Sequence, residues 1–379
     1  MFLFTRVATR LVLLLVLSGL AGCATGVRPE STLVDGTADL AVLPPPGAIV
    51  ASLEAAPPAI KANEINVLAI SGGGSDGAFG AGVLKGWTES GTRPTFNVVT
   101  GVSTGALIAS FAFLGSAWDG EIERFYTRIT DEHIYAKKGV AGLFQESLYD
   151  TAPLRKLVEK AANRHLIDAV AREHRRGRRL YVATTDLDSG VITVWDMGAI
   201  AASDNPGRYE TYRDVLVASA AFPGFFEPVF VRDSIDPEKT RMHVDGGVKA
   251  PILLRSFMVA GTQKKKTVYM LINGKLTREA GIELVKPTVI DISKRSISEL
   301  MRGLTYKTIY QAYVTSKNAR ASFRMIHVPD DVRDIENALS FKPEEMRRMF
   351  EVGYISGRDK SRWLAEPPRL EPLERIAVQ

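Results

Sequence analysis

The 379-residue chain carries 48 basic and 43 acidic residues, a formal charge of +5, with 45% hydrophobic residues and a single cysteine. That apolar content supports a sizeable folded core, and one cysteine excludes a disulfide framework. The basic residues gather in short runs, "REHRRGRR" (172–179) and "KKK" (264–266), with no recognisable nucleic-acid module, so nucleic acid is not an expected partner.

The first residues supply Arg6 and Arg10, then the short apolar run "LVLLLVLSGL", then Leu20-Ala21-Gly22-Cys23. This order of basic, apolar and small-residue segments is that of a secretory signal, too short to serve as a spanning helix. "LAGC" looks like a bacterial lipobox, which predicts a signal peptide over 1–22 and lipidation of Cys23. The expectation is an exported lipoprotein held on a membrane through that N-terminal anchor. Ala24 in place of Asp permits sorting to the outer membrane if the source is Gram-negative. Residues 23–61, with "PPPG" and "AAPPAI", read as an extended linker.

From Ile65 the periodicity becomes legible. "INVLAIS" is a β-rich run, followed by the glycine loop "GGGSDG" and the helical spacing of "GAFGAGVLKGWTES". "FNVVTGV" (96–102) is a second strand, leading through Ser103 into the helical "GALIASFAFL". This βαβ unit implies a parallel sheet. "LYVATTDL" (180–187) and "VITVW" flank a turn and predict a hairpin. A helix at 211–221, a short strand into "HVDGG" (243–247) and a strand at "TVYMLIN" (267–273) follow. Towards the C-terminus, 293–319 and 343–355 read as long amphipathic helices with the strand "FRMIHVP" between them. Core packing is the expected use of these helices, with a lid or interfacial surface as the alternative. The fold class is α/β, a mostly parallel central sheet flanked by helices, with C-terminal helical additions. The expected division is a catalytic domain over 62–275 and a mainly helical part over 276–379 packed on it.

The glycine loop admits three readings. Gly72, Gly74 and Gly77 spell the dinucleotide fingerprint, but the second strand ends without the carboxylate that would hold a ribose. Gly73 to Gly77 also spell G-x-S-x-G around Ser75, but three consecutive glycines support a nucleophile poorly. Gly101-Val102-Ser103-Thr104-Gly105 is a better elbow, between a strand and an apolar helix, and makes Ser103 the candidate nucleophile. The glycine loop then becomes a set of backbone N–H donors for an oxyanion, with the Thr104 N–H adding a donor from the elbow side.

A serine needs a base. Of the five histidines, His133, His165 and His174 lie in polar or basic stretches, and His327 alternates in a strand. His327 is the only one whose place in the chain suits a Ser–Asp–His order. Asp245, ending a short strand before Gly246-Gly247, is the other candidate, although a bare D-G-G also makes a tight turn.

The chain resembles the patatin-like phospholipases, serine lipid acyl hydrolases that use a Ser–Asp dyad without histidine. The resemblance rests on Gly72-Gly73-Gly74 with Gly77, Gly101–Gly105 around Ser103, Asp245-Gly246-Gly247, "ATTDLDSGVITVWD" (183–196) and "ASAAFPGFFEPV" (218–229). It implies Ser103 as nucleophile, Asp245 as general base, and the Gly72–Gly74 loop, chiefly the Gly73 and Gly74 N–H groups, as oxyanion hole. It further implies a phospholipid or other acyl-ester substrate and requires no cofactor or metal. An Asp titrating near pH ~3.9 is a weak base, so Asp245 is expected to be desolvated with a raised pKa. Two positions depart from the family pattern. Asp76 stands where a basic residue is frequent, and Lys249-Ala250 precede Pro251 where an Asn is frequent. The alternatives are a His327-dependent esterase or thioesterase, and a catalytically silent envelope scaffold.

Overall fold

The computed structural model describes residues 64–368, except 140–141, 143–144, 233–239, 263–264, 278–283 and 333–337. The expected signal peptide, Cys23 and the linker lie outside the described residues. Among those described, no helix is long and apolar enough to cross a membrane.

Strand β1 (Glu64–Ile70) leads through the glycine loop into helix α1 (Gly77–Glu89), and β2 (Val98–Val102) leads through Ser103 into α2 (Thr104–Leu114). A helical excursion follows: α3 (Asp119–Arg128), α4 (Asp131–Ile134), a small ribbon of β3 (Ala136–Lys137) and β4 (Tyr149–Asp150), then α5 (Ala152–Ala161) and α6 (Arg164–Arg175). The expected hairpin is β5 (Arg179–Asp186) with β6 (Val191–Asp196), followed by α7 (Met197–Ala202) and α8 (Arg208–Ser219). Strands β7 (Val229–Arg232), β8 (Thr240–Asp245) and β9 (Lys265–Ile272) come next. The chain continues with α9 (Val289–Asn318), β10 (Ser322–His327) and α10 (Pro343–Arg358).

The main sheet runs β10-β9-β1-β2-β5-β8-β7, with β6 paired to β5. The five strands from β10 to β5 are mutually parallel, and β8 is antiparallel to β5. Strands β1, β2 and β5 are buried almost throughout, as a parallel sheet covered on both faces requires. Period-two alternation divides β1 between two cores. Leu68 and Ile70 join the side built with α1, α2, α6 and α8; Ile65, Val67 and Ala69 join the side built with Ile252–Leu254 and α9. The C-terminal part is therefore more than helical addition, because β10 pairs with β9 and extends the same sheet.

The two long C-terminal helices differ. Helix α10 packs on α1 at backbone contact: a Cβ on Gly82 or Gly86 would overlap carbonyls of Phe350 and Tyr354, and a Cβ on Gly353 or Gly357 would overlap those of Phe79 and Val83. Among the described side chains of α9, those that enter the core, Ile309 and Ala312, lie in its second half. The expectation of core packing thus holds for α10 and for part of α9.

Register brings the two candidate catalytic segments together. Strand β5 is bonded along one edge to β6 over Tyr181–Asp186. Its other edge carries β2 along Arg179–Ala183 and then β8 along Thr184–Asp186. Strand β2 ends with Val102 opposite Ala183, and β8, arriving from the other direction, ends with Asp245 opposite Thr184. Two strands therefore meet head-on along one edge, one register step apart.

The glycine crossing gives a test with opposite signs. Alanine is favoured over glycine in a free helix by about 1 kcal/mol. Gly303→Ala, where nothing approaches the added methyl on α9, should stabilise by up to that amount. Gly353→Ala should instead destabilise by on the order of 2–3 kcal/mol, because backbone cannot give way as a side chain does. Urea unfolding of both variants reads the two signs.

Candidate active site

The turn after β2 puts Ser103 at φ 56°, ψ −129°, a conformation that a non-glycine residue holds only when its surroundings fix it. The surroundings do so. The Ser103 N–H donates to Ser219 Oγ at 3.0 Å, and that hydroxyl donates onward to the Ala183 carbonyl at 2.8 Å. Tyr126 Oη lies 2.6 Å from Thr104 Oγ1 and donates to the Thr104 carbonyl. Gly101 and Gly105 are required by close approach: a Cβ on Gly101 would strike the Gly105 carbonyl, and one on Gly105 would strike those of Ile70 and Ser71.

The glycine loop leaves β1 beside this elbow, close enough that a Cβ on Gly72 would sit 3.1 Å from Ser103 Cβ. Asn273, just past β9, holds the loop's base. Its N–H donates to Ser71 Oγ and its Nδ2 to the Ser71 carbonyl, both at 2.8 Å. Of the three expected loop donors, one is corrected. The Gly72 N–H donates to the Pro251 carbonyl at 3.1 Å, so it is already committed. The N–H groups of Gly73, Gly74 and Thr104 have no hydrogen-bond partner among the described residues, and all three residues line the same cavity as Ser103.

Asp245 is 3% exposed. Its N–H donates to the Ala221 carbonyl at 2.9 Å, and its carbonyl accepts from Thr185 Oγ1 at 3.0 Å. Its Oδ1 accepts the Gly247 N–H at 2.7 Å. Burial raises its pKa to about 6, against the opposing pull of hydrogen bonds from the Ser103 hydroxyl and the Gly247 N–H. Register and the shared cavity thus bring serine and carboxylate together, and the carboxylate titrates at about 6.

Ser103 and Asp245 open onto a cavity of 1320 Å³. Apolar side chains from α2 and α3 and from the segment after α8, including Leu107, Phe125, Phe222 and Phe225, form much of its lining. The segment 275–306 adds Lys275, Lys286, Arg295 and Arg302 beside Asp291. Ser75 is fully buried and does not line the cavity. None of the five histidines lines it either; His327 Nδ1 faces the Val328 carbonyl at 2.8 Å, and His243 is buried against Thr184 and Trp195. Among the described residues no cluster of side chains suits a metal ion.

Residues 68–258 match the family model for patatin-like phospholipases. The chain belongs to the patatin-like phospholipase family. The general activity of that family is lipid acyl hydrolysis. The crystal structure of VipD from Legionella pneumophila aligns over 80% of this chain and 68% of that one, at 13% identity and a TM-score of 0.39. No curated protein matches the chain. The family match runs from β1 past Asp245 and ends before β9, so Asn273 and α9, which complete the walls of the site, lie beyond it.

Within this patatin-like domain, sequence reasoning missed Ser219, Asn273 and Tyr126. Ser219 had a signal, as the only polar residue in "ASAAFPG". Asn273 and Tyr126 had none, since each acts on a residue far away in the chain. Of the departures from the family pattern, Asp76 lines the cavity, while Lys249 and Ala250 do not line it but precede Pro251, which does and whose carbonyl holds Gly72.

The buried carboxylate has a consequence for stability. Because burial raises the Asp245 pKa, the folded chain binds its proton more tightly than the unfolded chain does between about pH 4 and 6. Over that window stability falls as pH rises, and above it the cost of the buried charge is constant. Asp245→Asn should therefore be more stable than wild type at pH 8 by on the order of 2 kcal/mol, and the gain should vanish near pH 4. Chemical unfolding at the two pH values checks it.

Proposed function

We propose that the chain is a serine lipid acyl hydrolase, of phospholipase A or esterase type, that cleaves acyl esters through Ser103 and Asp245. The observation that carries this reading is the convergence of Ser103, the buried Asp245 carboxylate that it acts on electrostatically, and uncommitted N–H groups on one cavity.

In the first half-reaction Ser103 Oγ attacks the ester carbonyl carbon while its proton passes to the Asp245 carboxylate. Negative charge develops on the carbonyl oxygen, and the Gly73, Gly74 and Thr104 N–H groups receive it. Such preset donors contribute about 10²–10³ in rate each. Collapse of the tetrahedral intermediate expels the alcohol, which takes the proton from Asp245 and leaves an acyl ester on Ser103. In the second half-reaction Asp245 accepts a proton from water as that water attacks the acyl carbon. Collapse releases the carboxylic acid and returns the proton to Ser103. A base with a pKa about 6 is ionised at neutral pH yet still takes a proton in the transition state.

The lining fits an acyl chain along the aromatic and aliphatic surface of Leu107, Phe125, Phe222 and Phe225, with an anionic head group near the basic side chains of 275–302. The "LAGC" end supports attachment of the mature chain to a membrane through a lipid on Cys23, which places the site where its substrate resides.

A fluorophosphonate probe tests the assignment. Folded wild type should be labelled on Ser103, as read by peptide mass spectrometry, and Ser103→Ala should not be labelled. His327→Ala should label like wild type, and Asp245→Asn should lose on the order of 10³-fold in phospholipid turnover. Absence of labelling in folded wild type would support the silent scaffold instead.

A further inference from the structure

Among the described residues, large exposed apolar side chains are concentrated in one stretch of the chain. Of ten large hydrophobic side chains exposed among the described residues, seven lie between Leu284 and Val314. On α9, at about 100° per residue, Val289, Ile292, Leu300, Tyr310 and Val314 fall within an arc of about 80°. The exposures of Val289, Ile292 and Leu300 are 82%, 51% and 73%. The cavity-lining residues Asp291, Arg295, Ser298, Met301, Arg302 and Thr305 occupy the opposite side of the same helix, with Ile297 and Tyr306, also lining the cavity, at its flanks. One side of α9 thus forms a wall of the site, and the other presents to solvent a stripe of these apolar side chains interspersed with Ser296, Gly303 and Lys307. Leu284, 89% exposed, and Val285 line the cavity and lie a few residues before Val289, so exposed apolar side chains run from the cavity lining into the start of α9.

We propose that the α9 stripe, with Leu284 and Val285, is the surface by which this protein lies on a lipid bilayer bearing anionic head groups. The inference rests on the lipid-ester reading of the site. Charge selects the occupant. Lys307 lies within the stripe and Lys317 beside it, with no carboxylate inside that arc, which attracts an anionic surface and opposes pairing with a second copy of the same helix. Geometry agrees, because a helix of this amphipathic form lies in the plane of an interface with its apolar side among the acyl chains. Seated that way, α9 carries the cavity entrance at Leu284 and Val285 onto the membrane, and a lipid enters the site without crossing water.

A reporter on the stripe tests this independently of any N-terminal anchor. In the full chain carrying Ser103→Ala and Cys23→Ser, an environment-sensitive fluorophore is attached at Ile292→Cys or, as control, at Arg176→Cys. Arg176 follows α6, on the other face of the sheet. Vesicles of phosphatidylcholine with phosphatidylglycerol should shift the Ile292 emission to the blue and raise it severalfold, while the Arg176 probe stays unchanged. In the active chain, Val289→Ser combined with Ile292→Ser and Leu300→Ser should lower hydrolysis of vesicular phospholipid by about tenfold or more. The same variant should leave kcat/KM for a soluble p-nitrophenyl ester within about twofold, since none of the three side chains lines the cavity. A silent Ile292 probe in the presence of vesicles overturns the proposal. So does a blue shift that grows with protein concentration without vesicles, the signature of a second copy. Because the probe experiment uses an inactive chain, failure of the hydrolase reading leaves its result intact.

Discussion

The site depends on two strands meeting head-on along one edge of β5. Parallel β2 stops at Ala183 and antiparallel β8 stops at Thr184, so the residues at their ends are forced together. Ser103 cannot continue the strand because β8 occupies the next register position; it turns instead through a positive φ. Asp245 in turn arrives at the middle of a buried sheet, with nowhere to expose its carboxylate fully. Sheet register is strongly specified where both faces are packed, which makes the pairing a property of the core rather than of flexible loops.

The same meeting point explains the energetics. Holding a non-glycine residue at positive φ costs on the order of 1–3 kcal/mol, and burying a carboxylate adds to that. The end of α8 supplies compensation on both sides at once, taking the Ser103 N–H on Ser219 Oγ and the Asp245 N–H on the Ala221 carbonyl. Asn273 and Pro251 do the equivalent for the glycine loop, fixing Ser71 and Gly72 while leaving the next two N–H groups without acceptors. The strained and desolvated groups thus share the cavity wall with the satisfied groups that fix them.

Much of this was legible in the sequence because it is local. The β-rich runs at 65–70 and 98–102, the glycines flanking Ser103 and the turn before Val191 each announce an element through a few neighbouring residues. What remained hidden is non-local. Nothing in "SGGG" shows that the first donor is consumed by a proline carbonyl 179 positions later. The helices α3 and α5 are amphipathic but only ten residues each, and α4 has four, so each offers few turns of pattern, and only the basic helical region around α6 was apparent. Helix α9 reads as one amphipathic segment, but its two halves meet different surroundings, core beside Ile309 and cavity beside Met301. The α1–α10 crossing was implicit in glycines spaced by four on both helices, a pattern with meaning only once the partners are known.

The central claim is that Asp245, and no histidine, takes the proton from Ser103. The pH dependence of kcat/KM for a soluble ester tests it most directly. With a base whose pKa is about 6, the rate should rise tenfold per pH unit on the acidic side, level off above that value, and lose this limb in Asp245→Asn while keeping it in His243→Asn and His327→Asn. A limb that survives Asp245→Asn, or that disappears with either histidine, would contradict the account.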